Sequence, residues 1–232
     1  LINHTEIDKR FMYHVAGQAT AIYLGNKQKQ LPEVHFNILI EPQEKYNPLI
    51  AKLDLTFTKG STKISGGRLI QGLPLAFAEA TCYFSQTQKE QYQCAIEADV
   101  TNLLAGSLAE AKHVAQRDNE VFNANLIYLG ALKFYGGEQD LRTVDEYMFC
   151  LNPENLAERK KILAELFLAA YAFVNDPSNW QRISQLAEGI QQPRKLTLFR
   201  NDLLASLESH SSHAMPALQP ISANPRKVAA FY

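Results

Sequence analysis

The spacing of hydrophobic residues changes character several times along this chain. Over residues 8–24, Phe11, His14, Ala21 and Leu24 recur at helical intervals, and Ala16, Gly17, Ala19 and Ala21 leave room for close packing. Gly25-Asn26 suits the end of that helix. After Pro32 the period drops to two: Val34, Phe36, Ile38 and Ile40 alternate with Glu33, His35, Asn37 and Leu39, which predicts a strand. A second strand is expected over residues 52–58, with a turn at Lys59-Gly60-Ser61. A third is expected over residues 63–73, where Gly66-Gly67 marks a bulge or a close approach.

From Leu75 onward the pattern is helical. Leu103, Leu104, Leu108, Ala111 and Ala115 share one face of a helix that begins near Gln88. Further helices are expected over residues 119–134, closed by Gly136-Gly137, and over residues 140–151, with Asn152-Pro153 opening the next element. Leu163, Leu166, Phe167, Ala170, Tyr171 and Val174 form the clearest amphipathic stripe in the chain. Asp176-Pro177-Ser178 begins a shorter helix containing Trp180, and residues 196–207 are apolar enough to pack against the body. The expected fold is α+β and mainly helical: an N-terminal helix, a small sheet, then a helical bundle. It spans residues 1–208, followed by a flexible tail over 209–232 that holds Pro216, Pro220 and Pro225.

Composition narrows the function classes. The 232 residues are 46% hydrophobic and 20% charged, enough for one substantial core. A net charge of -1 gives no field that favours nucleic acid. No apolar run approaches the roughly 18 residues of a membrane span, and the start of the chain carries no secretory pattern. Leu1 is not a start methionine, as in a trimmed or internal stretch. Cys82, Cys94 and Cys150 match no metal clip and read as reduced thiols of a cytoplasmic protein, with a Cys82–Cys94 disulfide as the other arrangement.

The candidate chemistry centres on Tyr13-His14-Val15-Ala16-Gly17-Gln18-Ala19-Thr20-Ala21. An H-E-x-x-H helix places two imidazoles on one face for zinc and a glutamate beside the bound water. Here the same spacing reads H-V-A-G-Q. A lone histidine on an apolar helix face is ordinarily a hydrogen-bonded core residue, because a metal site needs several convergent ligands.

Two further stretches bear on that choice. Leu103-Leu104-Ala105-Gly106-Ser107-Leu108-Ala109-Glu110 and Gly136-Gly137-Glu138-Gln139-Asp140-Leu141 follow in order. Together with Tyr13–Ala21 they resemble the three motifs of the protease domain of FtsH-type zinc metalloproteases, which belong to the AAA+ family, over about residues 11–151. In the second stretch, Ala105 stands for a glycine and Ser107 for an arginine of that family. The resemblance implies His14 at the first zinc-ligand position, Gln18 at the second and Asp140 at the third, with Val15 at the general-base position.

Gln18 is a poor zinc ligand, and Val15 can neither take nor give a proton, a role worth about 10²–10⁴-fold in rate. The implied protein is therefore a pseudoprotease: no intact catalytic or metal residue, no cofactor, and a role in binding a peptide or protein partner. Gln18 is expected to hydrogen-bond His14 or Asp140 in place of a metal. The alternative is an active, ATP-independent metallopeptidase whose zinc sits on His14, Asp140 and a third ligand such as Glu110 or His113. No G-x-x-x-x-G-K-[ST] segment exists, so the family's ATPase module has no counterpart in this sequence.

Other candidates are weaker. Glu110 and His113 make a single E-x-x-H pair where a di-iron bundle needs two. His210 and His213 lie in the tail, which is also compatible with an export signal of a secreted effector. Ser61, Ser65 and Ser107 lack a nucleophile-elbow setting. Glu158, Arg159, Lys160 and Lys161 read as a solvated face.

Overall fold

The first helix carries the unusual run of small residues, and that run decides how the molecule packs. In the computed structural model, which describes residues 4–40, 62–191 and 197–199, helix α1 spans His4–Thr20. It continues as a π-helical turn, Ala21–Gly25, and a last piece, α2 (Asn26–Gln28). The helix thus ends later than the Gly25-Asn26 signal predicts. Its stop is Gln30, which takes the left-handed conformation (φ 54°) while Leu31 N–H returns to Asn26 O at 2.9 Å and Gln30 N–H to Lys27 O at 3.1 Å. This is a Schellman-type cap made without glycine.

Strands β1 (Phe36–Ile40), β2 (Thr62–Gly66) and β3 (Thr197–Phe199) form an antiparallel sheet in the order β2-β1-β3. Phe36 pairs with Gly66 and Ile38 with Ile64. Phe36 and Ile38 are buried and the residues between them less so, as the alternation predicts. The strand expected over 63–73 stops at Gly66. Gly66 and Gly67 both have φ above 80°, which ends the extended backbone, and the chain leaves the sheet. The strand expected over 52–58, the Lys59-Gly60-Ser61 turn and the tail lie outside the described residues.

Helix α3 (Phe77–Ala80) leads into α4 (Gln86–Arg117), 32 residues long. Ser85 and Gln88 form a reciprocal capping box, so the helix starts two residues before the expected Gln88. Residues 98–112 are buried on every side, not on one face as the stripe predicts. Small side chains make this possible, since Ala98, Ala105, Gly106, Ala109 and Ala111 let α1 and other elements approach from different directions.

The expected helix over 119–134 does not form as such. Asn119 is left-handed (φ 55°), the following residues are irregular, and only Leu129–Phe134 forms a 3-10 helix. Polar Asn123 turns its side chain and carbonyl back onto the amides of residues 125–127. Helices α5 (Glu138–Leu151), α6 (Leu156–Asn175) and α7 (Pro177–Gln191) complete the bundle close to the expected positions. Leu166, Phe167, Ala170 and Val174 of the α6 stripe are buried, with Leu163 and Tyr171 at its margins. The described part is mainly helical α+β, in the expected order.

Candidate functional site

Close approach of α1 and α4 creates the site. A side chain at Gly17 would collide with Ala109 and the Ala105 carbonyl, and one at Gly106 would lie 3.0 Å from His14 Nε2 and 3.1 Å from its carbonyl. His14 therefore rests directly on the α4 backbone, 9% exposed. The third wall is the turn before α5. Gly136 adopts φ 68°, and a Cβ there would meet Glu110 Oε2 at 2.8 Å and His14 Nδ1 at 3.0 Å. Gly17, Gly106 and Gly136, one from each motif, are thus places where backbone must approach His14 or the α1–α4 seam.

The imidazole bridges two carboxylates. Nε2 lies 2.9 Å from Asp140 Oδ2. Nδ1 lies 3.2 Å from the Tyr135 carbonyl and 3.5 Å from Glu110 Oε2. Each ring nitrogen faces only acceptors, so each donates and the ring is an imidazolium. Burial pulls its pKa down, but the bond to Asp140 and the nearby Glu110 carboxylate outweigh burial and push it up to about 10. Glu110 is 2% exposed, and Arg10 closes its other side, with Nε donating to Oε1 at 2.9 Å and the guanidinium reaching Phe134 O. The result is a charge-balanced chain, Asp140–His14–Glu110–Arg10: two carboxylates, one imidazolium and one guanidinium.

The predicted site residues divide accordingly. His14 and Asp140 meet. Val15 is 2% exposed and packs in the core, its methyls reaching the cavity beside His14. Gln18 lines that cavity with His14 and Asp140, but the expected bond from Gln18 to either is replaced by the Tyr135, Asp140 and Glu110 contacts of the ring. Glu110 is a partner of His14 on the opposite edge of the ring from Asp140. His113 turns away and stacks on Tyr13, ring centres 4.0 Å apart. Ser107 is buried against Gly137, and Ser65 is exposed on β2. Arg159 donates to Asn152 O (2.7 Å) and Pro153 O (2.6 Å), so it ties down the end of α5 instead of standing on a solvated face.

As they stand, these donors form a hydrogen-bonded ion pair and not a zinc site. A ligating imidazole must offer a lone pair, and His14 Nε2 carries a proton directed at Asp140. Two ligands on a tetrahedral zinc with bonds of about 2.0–2.1 Å stand roughly 3.3 Å apart. The 2.9 Å between Nε2 and Oδ2 is a hydrogen-bond distance. Glu110 cannot share an ion with Asp140 across the ring. Among the described residues, no group of three or more His, Cys, Asp or Glu is arranged for a metal ion.

A cavity of about 360 Å³ opens beside this chain of charges, between α1, β2 and α4. Phe11, Val15, Ile22, Ile64 and Leu103 give it an apolar lining, and Gln18, Arg68, Asp99 and Asp140 give it polar points. The sequence reading missed Glu110 as a partner of His14, and missed Asp99 and Arg10 altogether. Cys82, Cys94 and Cys150 are all unpaired thiols. Among the described residues no helix is long and apolar enough to cross a membrane. Set against known proteins, the chain matches no family model, no curated protein and no solved structure.

Proposed function

We propose that this chain is a non-catalytic relative of the FtsH-type zinc metalloprotease domain, a pseudoprotease that binds an extended polypeptide in the cleft beside His14. The observation that carries the reading is convergence. Three short stretches that resemble that family's motifs supply His14, Glu110 and Asp140, and these side chains meet at one point although His14 and Asp140 are 126 residues apart. In this reading the ion pair replaces the metal. Asp140 and Glu110 neutralise the imidazolium, and the motif glycines keep the close approach they once gave a hydrolytic centre.

The chemistry left in the cleft supports binding without turnover. Val15 offers no base, and the His14 ring, donating from both nitrogens, must give up a proton before it can activate water or ligate an ion. The apolar lining accepts side chains, and the nearby strand β2 offers backbone groups for strand addition, a mode that rests on analogy of fold. The three unpaired thiols suit a reducing compartment such as the cytoplasm.

The test uses the full chain produced without a polyhistidine tag. Fluorescein-labelled, reduced and carboxymethylated lactalbumin serves as an unfolded polypeptide. Saturable binding by anisotropy, without cleavage and without bound zinc by elemental analysis, is the expected result. Hydrolysis abolished by a chelator, or one zinc per chain, overturns it in favour of the metallopeptidase alternative.

A further inference from the structure

The cleft wall facing α1 is a strand end held at two points. Gly67 N–H donates to His35 O at 2.9 Å, which ties the end of β2 to the chain entering β1. Just beyond, Leu69 N–H donates to Asp99 Oδ1 and Ile70 N–H to Asp99 Oδ2, both at 2.9 Å. The Tyr147 hydroxyl, from α5, lies 3.0 Å from Oδ2 and 3.2 Å from Ile70 O. Arg68 sits between the two anchors, exposed, and lines the cavity.

Asp99 is 1% exposed in the middle of α4, where an apolar residue would pack at lower cost. Burial pushes its carboxyl up, and the two amides, Tyr147 and Arg68 pull it back. None of its three hydrogen-bond donors belongs to α4. The bonds therefore add nothing to that helix; they tie Leu69, Ile70 and the Tyr147 hydroxyl of α5 to it.

We infer that Asp99 is the positioning residue of the cleft: it clasps the strand end so that the wall and Arg68 stand at a fixed distance from α1. This rests on the reading of the cleft as a polypeptide site.

Asp99→Asn keeps the side-chain shape but turns one acceptor into a donor that faces a backbone N–H. One of the Leu69 and Ile70 amide protons, whichever faces the new NH2 group, is then expected to exchange about 10- to 100-fold faster, as for loss of a hydrogen bond to a charged acceptor, with α4 amides unchanged. Affinity for the labelled, carboxymethylated lactalbumin is expected to fall by a comparable factor. Unchanged protection of both amides in folded Asp99→Asn overturns the inference, and so does a freed amide with unchanged affinity.

Should Asp99→Asn not fold, Tyr147→Phe removes one of the three donors. A rise of roughly 3- to 10-fold in Ile70 exchange is expected, in keeping with one neutral hydrogen bond, and wild-type exchange overturns the clasp. A wild-type protein that binds no polypeptide removes the reading of the cleft and this role with it, an outcome distinct from the amide result.

Discussion

The imidazole of His14 and the carboxylate of Asp140 stand 2.9 Å apart, joined by a hydrogen bond that spans 126 residues of chain. A contact of such sequence separation between a buried imidazole and a half-buried carboxylate is costly to assemble, because the loop must close before the contact forms. Its persistence is explained by the rest of the network. With Glu110 on the other edge of the ring and Arg10 beyond it, no charge in the chain lacks a counter-charge.

That network makes stability depend on pH in a definite direction. The folded-state pKa of His14 is raised to about 10 from an ordinary 6.5. A raised value means that the folded state binds the proton more tightly than the unfolded chain. The His14 contribution is therefore complete below about pH 6.5 and is lost as pH rises to about 10. Urea unfolding across this window should show wild type losing stability relative to His14→Asn. At neutral pH, removing the imidazolium should cost about 3 kcal/mol, because two carboxylates are left facing each other in a buried site. A constant difference between the two proteins across the window would count against an imidazolium in the folded state.

The α1–α4 seam predicts opposite results for two glycine-to-alanine changes. Gly17→Ala places a methyl against Ala109 and the Ala105 backbone, which cannot move without separating the helices. A loss of roughly 1–3 kcal/mol is expected from such overpacking. Gly189, in α7, has nothing within 4 Å of the added carbon. Gly189→Ala should therefore gain about 0.5–1 kcal/mol from helix propensity alone. Thermal melts of the two variants beside wild type decide the matter, and a stabilised Gly17→Ala would show the seam to be looser than described.

Lys112 shows how a core cation is held without a carboxylate in contact. Its ammonium donates to Val174 O at 3.1 Å and Asn175 Oδ1 at 3.4 Å, and lies 4.5 Å from the centre of the Trp180 ring. Burial pushes its pKa down, while Asp176 pulls it back up. Lys112→Met keeps the stem but leaves the end of α6 without its donor and the indole without its cation. A loss of about 1–3 kcal/mol is expected. Trp180 is the one tryptophan of the chain, so its emission should shift in the folded variant. Unchanged emission would argue that the ammonium does not sit on the ring.

Periodicity carried most of the fold, because α5, α6 and α7 each bury one side and leave another exposed. It misled where that condition fails. Residues 98–112 are buried all round, so their stripe marked only part of the contact surface. The stretch after Asn119 has enough apolar residues for a helix, yet a left-handed Asn119 and the Asn123 turn set its path. The site was legible as a set of positions but not as a network. Glu110 is a lone charge within Ala105-Gly106-Ser107-Leu108-Ala109-Glu110-Ala111, and Arg10 is four residues before His14 on the same helix face. Those two signals, read together, place an acid between two cations. Asp99 gave no such signal, since its donors are backbone amides 29 and 30 residues away and a tyrosine hydroxyl 48 residues away.

The sharpest test of the proposed kinship is to introduce, one at a time, the residues that the resemblance implies. Gln18 is one helical turn from His14, lines the same cavity and is only partly buried, so Gln18→His brings a second imidazole to the face shared with Asp140. With His14, the new imidazole and Asp140 available, zinc supplies the charge that the His14 proton supplies now, and binding should release that proton. Micromolar zinc binding, weakening as pH falls, is expected by calorimetry for Gln18→His and not for wild type. Hydrolysis of unfolded polypeptide should remain absent, because Val15 still occupies the place of the base. Adding Val15→Glu to this variant introduces a carboxylate where Val15 is 2% exposed, so a stability loss of a few kcal/mol accompanies any activity gained. If Gln18→His folds normally and takes up no zinc, then His14, position 18 and Asp140 do not converge as a ligand set. The resemblance to the metalloprotease helix would then be one of packing alone.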